Sequence, residues 1–405
     1  MYIDALPLEH VNPNYTPHLF NLLREVGGRV YVLQNIPGYS FGIQSTLLSG
    51  LLPQESYHWM PYMFKPVEEE TRFTNYMRNI CENNPLVCKD IIKKALHVFR
   101  NTKLNNVRLL YEALLHVMVF WNTRRVKLHG IAPEHFKKIL IFPYFYMNEN
   151  PFFIMLKRNI ERKSDVRVYY IGHSLSKNIE KLPILLSITK EVSRLFIFAY
   201  IDDLDGIGHK IGVASREWFN TLKLIDFFIY KICKTLSIVS RQTNIMLFSD
   251  HGVCNADEYI DLENLLLSKL PRETIDYFID ATLAFVRIHK DSLKDLVLRV
   301  LYRKLGSKTL IFDIEEDNQI LRRYGVYFVN REYGDIIIQT KPCKEFFPNF
   351  YSVTRKLIGL HGFWPNEPLQ QAFIVKLSAE SNREEDHAKP SHIKDLKNYI
   401  MSHLD

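Results

Sequence analysis

Few cysteines and no long apolar run limit what this chain of 405 residues can be. Its five cysteines are scattered, and none stands in the CxxC spacing typical of zinc and redox sites. This pattern predicts reduced thiols, a cytoplasmic location and no cysteine ligand to a metal. The longest apolar run, near Ile139 to Met147, is far shorter than the roughly 20 residues that a membrane-spanning helix needs.

Signals for secretion, disorder and internal repeats are missing as well. The chain opens MYIDALP, without the charged and apolar segments of a signal peptide. Because Asp4 ends a predicted strand only a few residues from Met1, we also expect the natural chain, or its ancestral form, to begin upstream. A hydrophobic content of 47% and a charged content of 24% are ordinary for a globular protein. These values exclude the disordered and fibrous classes.

The net charge of +7 belongs to one part of the chain. The stretch from Lys89 to Asp165 holds 15 Lys and Arg against 6 Asp and Glu, which leaves the remainder slightly acidic. A basic surface attracts nucleic acid, an anionic membrane or a phosphorylated substrate. A solvated helical face is the alternative interpretation.

Apolar strands alternate with amphipathic helices at both ends of the sequence, which predicts an α/β domain formed by residues 1–53 and 150–405. Between them, residues 54–149 follow a helical period without clear strands, and we interpret them as a mainly helical, basic insertion that caps this domain. Three residues early in the insertion, His58, Trp59 and Tyr62, are predicted at the mouth of a substrate pocket. Packing against the main domain is the alternative for them.

The clearest functional signal is FIFAYIDDLDGIGHKIG at residues 196–212. Leu195 to Ile201 has the continuous apolar character of a buried parallel strand. Asp205 and His209 follow it, where open α/β sheets bind their ligands. We expect these two side chains on a loop that its glycines bend sharply, each offering one ligand atom to a metal. A capped loop with a surface histidine is the alternative.

Other predicted strand ends repeat this pattern. Asp4 follows the first strand, Asp250 and His251 follow the strand in TNIMLFSDHG, and His361 lies in LIGLHGFWPNEP. Carboxylate and imidazole ligands without cysteine favour zinc, with manganese or iron as alternatives. Ser40 is predicted at the N-terminus of a helix, where backbone N–H groups suit an anion, unless it is a simple helix cap.

The ordered motifs DAL, TPHL, YSF, LSGLLP, YIDDLDGIGHKIG, SDHG and LHGF resemble the alkaline phosphatase superfamily, and most of all its type I phosphodiesterase/nucleotide pyrophosphatase branch. The resemblance covers about Met1 to Pro53 and Asn150 to the C-terminus. Its most specific elements are LDxxGHxxG at Leu204 to Gly212 and SDHG at Ser249 to Gly252. It implies a three-layer α/β/α fold with a mostly parallel central sheet.

The resemblance also implies two divalent ions, most favourably zinc, and a serine nucleophile. The ligands that it implies are Asp205, His209 and His361 for one ion, and Asp4, Asp250 and His251 for the other, with the Ser40 oxygen bridging towards the second. Ser40 then attacks phosphorus in line, and water hydrolyses the resulting phosphoserine, with the two ions roughly 4 Å apart.

One departure from the family concerns the residues after Ser40. The nucleotide pyrophosphatases follow the nucleophile with Phe-Pro-Asn, whereas this chain has Phe41-Gly42-Ile43. Because Ile43 cannot donate a hydrogen bond, the Phe41 backbone N–H and the metals are left to stabilise the phosphoryl oxygens. This weakens the case for a nucleotide substrate. Sulfatase chemistry is disfavoured because the Cys or Ser-x-Pro-x-Arg signature is absent.

The resulting prediction is a two-metal hydrolase of phosphodiester or pyrophosphate bonds. A phosphomonoesterase, phosphonate hydrolase or phosphotransferase on the same site is one alternative, and a weakly active binding protein that uses its basic insertion is another. We expect a small-molecule or a glycan- or lipid-linked phosphate ester as substrate and no specific nucleic acid partner. Peripheral contact with a membrane stays open.

Overall fold

A computed structural model describes residues 1–64, 139–141, 151–163, 166–172, 174–188, 194–239, 244–351, 355–378 and 389–404. Most of the predicted insertion lies outside these ranges, so its helical content and its basic surface stay predictions. Among the described residues, no helix is both long enough and apolar enough to cross a membrane.

The strands are β1 (Tyr2–Ile3), β2 (Arg29–Leu33), β3 (Tyr62–Phe64), β4 (Ile139–Ile141), β5 (Val166–Ile171), β6 (Arg194–Ile201), β7 (Asn244–Ser249), β8 (Cys254–Asn255), β9 (Glu258–Ile260), β10 (Ile275–Ile279), β11 (Leu283–Ile288), β12 (Thr309–Asp313), β13 (Ile336–Thr340), β14 (Lys344–Phe346), β15 (Gly359–Leu360) and β16 (Ala372–Ser378). The helices are α1 (Pro17–Glu25), α2 (Ser40–Ser49), α3 (Pro53–Ser56), α4 (Pro151–Lys163), α5 (Leu175–Ile188), α6 (Asp203–Ile211), α7 (Arg216–Val239), α8 (Leu262–Lys269), α9 (Lys294–Leu305), α10 (Asn318–Arg323) and α11 (Leu396–Ser402).

The central sheet has six strands in the order β2-β16-β7-β1-β6-β5. Strands β7, β1, β6 and β5 are parallel neighbours, and β16 runs antiparallel to β7 and β2. The predicted mostly parallel sheet is therefore confirmed. Its inner strands read as continuous apolar runs because both of their faces are covered.

Helices cover the central sheet on both faces. On one face, Tyr2, Tyr200 and Phe248 pack with apolar residues of α2, α4 and α11. On the other, Ile3 and Ile201 pack with α1, α5, α6 and α7. Successive residues of a strand point to opposite faces, so β1 and β6 supply one side chain to each core in turn. The three-layer α/β/α arrangement predicted from the sequence is confirmed.

A second sheet, antiparallel, has the order β10-β11-β13-β12. Leu266 of α8 and Leu301 of α9 belong to the core on one of its faces. Phe285 and Ile337, from the other face, join the core around α2. The sequence predicts strands in this region without separating them into a sheet of their own. In the turn between β10 and β11, the Thr282 hydroxyl donates to the His361 carbonyl oxygen.

The prediction of reduced thiols is wrong for two cysteines. Cys254 and Cys343 form a disulfide, with their Cα atoms 5.7 Å apart and a sequence separation of 89. A separation of this length gives no local motif. Cys233 is a buried free thiol, and Cys81 and Cys88 lie outside the described residues. Because disulfides persist mainly in oxidising compartments, the cysteine pattern no longer supports the predicted cytoplasmic location, which the fold does not test.

Candidate metal centre

Three parallel strands deliver most of the candidate ligands to one edge of the central sheet. Asp4 directly follows β1, Asp250 and His251 directly follow β7, and helix α6 begins two residues after β6. Since β1 pairs in parallel with both β6 and β7, the carboxyl ends of all three strands meet at this edge. His361 arrives from outside the sheet, immediately after β15.

Asp205, His209 and His361 form the first cluster, which we call the outer group. The nearest distances are 3.2 Å from Asp205 Oδ1 to Nε2 of each histidine and 3.0 Å between the two Nε2 atoms. The side chains of Asp205 and His209 are 21% and 27% exposed, whereas His361 is almost completely buried.

The predicted loop beneath Asp205 and His209 is wrong, because both residues lie on helix α6. A spacing of four residues puts them on one face of a helix. Acidic residues in the first turn of α6 favour the helix through its dipole. A Cβ atom on Gly208 would make only ordinary contacts, the nearest at 3.5 Å from Val253, whereas a Cβ atom on Gly359 would lie 2.4 Å from the Gly208 carbonyl oxygen. Glycine at 359 thus lets the segment before His361 lie against α6.

Asp4, Asp250 and His251 form the second cluster, which we call the buried group. His251 Nε2 lies 3.1 Å from Asp250 Oδ2 and 3.5 Å from Asp4 Oδ1. All three side chains are at most 4% exposed. The buried group therefore sits inside the protein, at the ends of strands that are fixed on both sides.

Ser40 lies beside the buried group as the first residue of α2, as the sequence predicts. Its hydroxyl donates to Asp4 Oδ1 at 3.1 Å, and its oxygen lies 2.9 Å from His251 Nε2. The rings of His251 and His361 stack with their centres 3.9 Å apart, which brings the two groups into direct contact. One site thus contains the serine and both clusters.

The donor atoms of both groups fit divalent cations. In each group the ligand atoms lie within 4.8 Å of one another. Asp205 Oδ1 is buried and has no hydrogen-bond partner. His209 Nδ1 lies 2.8 Å from Gly359 O, and His251 Nδ1 lies 3.1 Å from Gly252 O. With a proton on each Nδ1, both Nε2 atoms offer their lone pairs to the centre, as metal-binding histidines do.

The pKa shifts reflect how many charges meet here. Burial raises the pKa of the Asp4 carboxyl well above its usual range, and the neighbouring Asp250 and Asp205 carboxylates raise it further. Burial works in the same direction on Asp250, but His251 brings the pKa of that carboxyl below its usual value. Burial lowers the pKa of His361 to about 4, helped by the nearby His251. His361 is therefore neutral at neutral pH, as a metal ligand must be.

The predicted pocket residues lie in packed positions. Trp59 is fully buried, donates from Nε1 to Pro37 O at 2.7 Å, and stacks on Phe328. The buried Tyr62 donates its hydroxyl to Asp280, and His58 is partly buried. These contacts agree with the packing alternative, and their role in a substrate pocket stays a prediction.

The residues after Ser40 are shaped by the same packing. A Cβ atom on Gly42 would lie 2.4 Å from the Trp59 carbonyl oxygen, so a larger residue at this position would have to displace that backbone. Ile43 is fully buried in the apolar core. Its side chain is committed to packing, and the proposed donor role of the Phe41 backbone N–H stays a prediction.

Sequence reasoning missed three side chains that support the site. Tyr2 and Tyr200 donate hydrogen bonds to Asp250 and Asp4. Thr282 donates to the carbonyl oxygen of His361 at 3.1 Å. The tyrosines had one available signal, since each lies on a predicted strand two residues before an aspartate. Thr282 had none, because its neighbours in space are distant in sequence.

The sequence profile of the family "type I phosphodiesterase / nucleotide pyrophosphatase" matches residues 1–342. The chain belongs to this family. It is therefore a phosphoric ester hydrolase, and members of its family use metal ions to hydrolyse small phosphate esters. No curated protein matches the chain by sequence.

Solved structures of ectonucleotide pyrophosphatase/phosphodiesterase 5 share the fold. The murine protein is 13% identical with a TM-score of 0.63, and the alignment covers 100% of this chain and 94% of the murine one. An inactive variant of the murine protein in complex with AMP is 13% identical, with a TM-score of 0.60 and the same coverage. The human protein is 15% identical, with a TM-score of 0.59 and again 100% and 94% coverage.

Proposed function

We propose that this member of the family hydrolyses phosphodiester or pyrophosphate bonds with two divalent ions and Ser40 as the nucleophile. The observation that carries the proposal is the position of the Ser40 hydroxyl, 2.9 Å from His251 Nε2 and 3.1 Å from Asp4 Oδ1. A serine needs an activating group to be a good nucleophile. Here the activating group would be the ion held by Asp4, Asp250 and His251, whose ligand atoms lie beside the Ser40 oxygen.

Asp4, Asp250 and His251 would hold one ion, and Asp205, His209 and His361 the other. Nitrogen and oxygen donors without sulfur favour zinc, with manganese or iron as alternatives. Bound divalent ions would lower the pKa of the Ser40 hydroxyl and stabilise negative charge on the reacting oxygens.

The residues of the chain orient the reaction. Contacts with Asp4 Oδ1 at 3.1 Å and His251 Nε2 at 2.9 Å hold Ser40 Oγ beside the buried group. Ser40 Oγ would release its proton to solvent and form its bond to phosphorus as the bond to the leaving oxygen breaks in line with it, and the leaving oxygen would take a proton from water. Water then attacks the phosphoserine and releases Ser40. Helix α2 begins at Ser40, and the positive end of the helix dipole favours the negative phosphoryl oxygens.

Charge balance favours an anionic group between the two ions. Two divalent ions bring four positive charges against the three aspartates, and neutral histidines add none. The excess of one can be balanced by an ionised Ser40 or by a bound phosphate ester. Within the described residues, the ion pairs of these aspartates are all with histidines, and no Lys or Arg joins them. The substrate itself is proposed only as a small or a glycan- or lipid-linked phosphate ester.

Turnover of matched esters tests this proposal. The panel contains p-nitrophenyl phosphate, bis(p-nitrophenyl) phosphate, a p-nitrophenyl nucleotide diester and a p-nitrophenyl phosphonate, each with zinc or manganese. We expect the diesters to have the highest kcat/KM, and the nucleotide arm tests whether the AMP seen with the murine relative is a guide to the substrate. Preference for the monoester or the phosphonate would favour those activities instead.

Ser40→Ala supplies the decisive comparison. We expect kcat to fall by about 10³-fold or more, because the covalent step is lost. Ser45→Ala is the matched control, since Ser45 lies on the same helix and its hydroxyl donates to the Phe41 carbonyl at 2.8 Å. Equal turnover by Ser40→Ala and wild type would contradict the nucleophile. No turnover of any ester by the metal-loaded wild type would contradict the enzyme itself.

A further inference from the structure

Two tyrosine hydroxyls reach the aspartates of the buried group from the strands beneath them. The Tyr200 hydroxyl donates to Asp4 Oδ2 at 2.5 Å, and the Tyr2 hydroxyl donates to Asp250 Oδ2 at 2.7 Å. Tyr2 and Tyr200 are direct partners in the β1–β6 ladder, and their rings meet edge to face at 5.0 Å. They form one unit below the site.

The hydroxyls are not needed to fill the core. The same apolar layer contains Phe198 and Phe248, whose rings lie 6.4 Å and 5.1 Å from that of Tyr2. A phenylalanine at position 2 or 200 would occupy nearly the same volume. What a tyrosine adds in this layer is a buried donor, and a buried donor requires a partner. Both partners here are carboxylates of the buried group.

The hydrogen bonds determine which carboxylate oxygen faces the site. Tyr200 binds Oδ2 of Asp4, which leaves Oδ1 turned towards Ser40 and His251. On Asp250, Ala5 N donates to Oδ1 at 3.2 Å, while Oδ2 accepts from Tyr2 and faces His251. Both carboxylate planes are therefore held by donors on the side of the sheet.

We propose that Tyr2 and Tyr200 are positioning residues that hold Asp4 and Asp250 in the orientation that a divalent ion requires at the buried group. The inference rests on the proposed function only in that the two groups bind ions. Hydrogen-bond partners of metal ligands typically change metal affinity by about 10–100-fold when they are removed. The tyrosines thus tune one ion of the pair.

The Asp205 carboxylate of the outer group has no such hydroxyl donor in the described part of the chain. Asp205 Oδ1 has no hydrogen-bond partner there, and its close neighbours are the imidazoles of His209 and His361. Loss of the tyrosine hydroxyls should therefore weaken the ion at the buried group and leave the ion at the outer group unchanged. This selectivity separates positioning from a general effect on folding.

The test is metal binding to the full chain, measured by competition of zinc with a chromophoric chelator. Wild type, Tyr200→Phe, Tyr2→Phe and the double variant are compared. Each is also measured in an Asp205→Asn background, where the remaining ion reports the buried group. Tyr277→Phe is the matched control, because the buried Tyr277 donates its hydroxyl to the Glu263 carboxylate at 2.8 Å in the second sheet.

We expect Tyr200→Phe and Tyr2→Phe each to weaken one ion by about 10–100-fold, the double variant to weaken the same ion further, and Tyr277→Phe to leave both ions unchanged. Unchanged affinities in the double variant, equal weakening of both ions, or the same loss in Tyr277→Phe would overturn the inference. So would unfolding of both metal-free single variants in circular dichroism. A wild type that binds fewer than two ions would contradict the proposed function itself. A wild type that binds two ions, with unchanged affinities in the tyrosine variants, would contradict only the inference.

Discussion

The buried group and the outer group contain the same kinds of ligand atom, but different secondary-structure elements position them. The buried group stands at the ends of β1 and β7, inside the sheet, with side chains at most 4% exposed. The outer group joins one face of α6 to the segment after β15, and two of its side chains are more than a fifth exposed. The sheet alone positions the buried group, whereas the outer group depends on packing between distant segments.

Long-range contacts hold His361 in the outer group. Strand β15 pairs with β8, and Gly359 packs against α6. The Thr282 hydroxyl donates to His361 O at 3.1 Å and lies 2.8 Å from the Tyr39 hydroxyl. Because Tyr39 immediately precedes Ser40, the second sheet connects the outer group to the nucleophile. We therefore expect the outer group to be the more easily disturbed of the two.

The largest effect should come from removing one ligand of either group. We expect Asp250→Asn and Asp205→Asn each to lower the metal content by about one ion per chain, with the remaining ion bound at the other group, and to reduce kcat/KM by at least about 100-fold, since the metals supply several kcal/mol of charge stabilisation. Metal analysis after dialysis and steady-state kinetics measure both quantities.

Asp203→Asn is the control for that pair of variants. Asp203 lies on the same helix as Asp205, but its carboxylate accepts a hydrogen bond from Leu175 N, which an asparagine oxygen can also accept. It should keep both ions. If both ligand variants keep two ions, the assignment of the groups is wrong. If either one loses both ions, the two groups are not independent.

A smaller effect should follow from crowding the outer group. Gly359→Ala puts a Cβ atom 2.4 Å from the Gly208 carbonyl oxygen, and we expect a loss of about 3 kcal/mol in stability together with weaker binding of the outer ion. Gly206→Ala is the control, because nothing lies within 4 Å of its Cβ position and alanine favours the helix by about 0.5–1 kcal/mol. Thermal unfolding and zinc titration measure these changes. A Gly359→Ala protein as stable as wild type would show that α6 and β15 can separate at little cost.

The smallest effect should come from the link between the second sheet and the site. Thr282→Val removes the hydroxyl that binds His361 O, and we expect a loss of about 1–2 kcal/mol and a several-fold weaker outer ion. Thr340→Val is the matched control, since its hydroxyl is buried and has no hydrogen-bond partner. Chemical denaturation and zinc titration give the two quantities. Equal changes in both variants would show that the Thr282 hydroxyl does not support the outer group.

The sequence also predicted the buried group more fully than the outer group. Asp4, Asp250 and His251 come directly after apolar strands, and parallel strands bring their carboxyl ends to one edge, so their meeting is predictable. Asp205 and His209 were predicted as ligands, but on a loop, because the glycines between and beside them indicate a turn when only the sequence is known. His361 lies about 150 residues further on, and only the family resemblance assigned it to them.

The features that the sequence did not predict depend on contacts between residues that are distant in sequence. The second sheet needs β11 to pair with β13, and the disulfide joins residues 89 apart. Neither leaves a local period or motif. Tyr2 and Tyr200 had the pattern of core residues on buried strands, which they are. Their hydroxyl partners become visible only when β1, β6 and β7 lie side by side.

The metal content of the wild-type chain tests the central claim most directly. Protein loaded with zinc, dialysed against metal-free buffer and analysed by mass spectrometry for zinc per chain should contain two ions, with one retained by Asp205→Asn. A wild-type content of one ion or none, under conditions where the protein is folded, would contradict a centre built from these two groups.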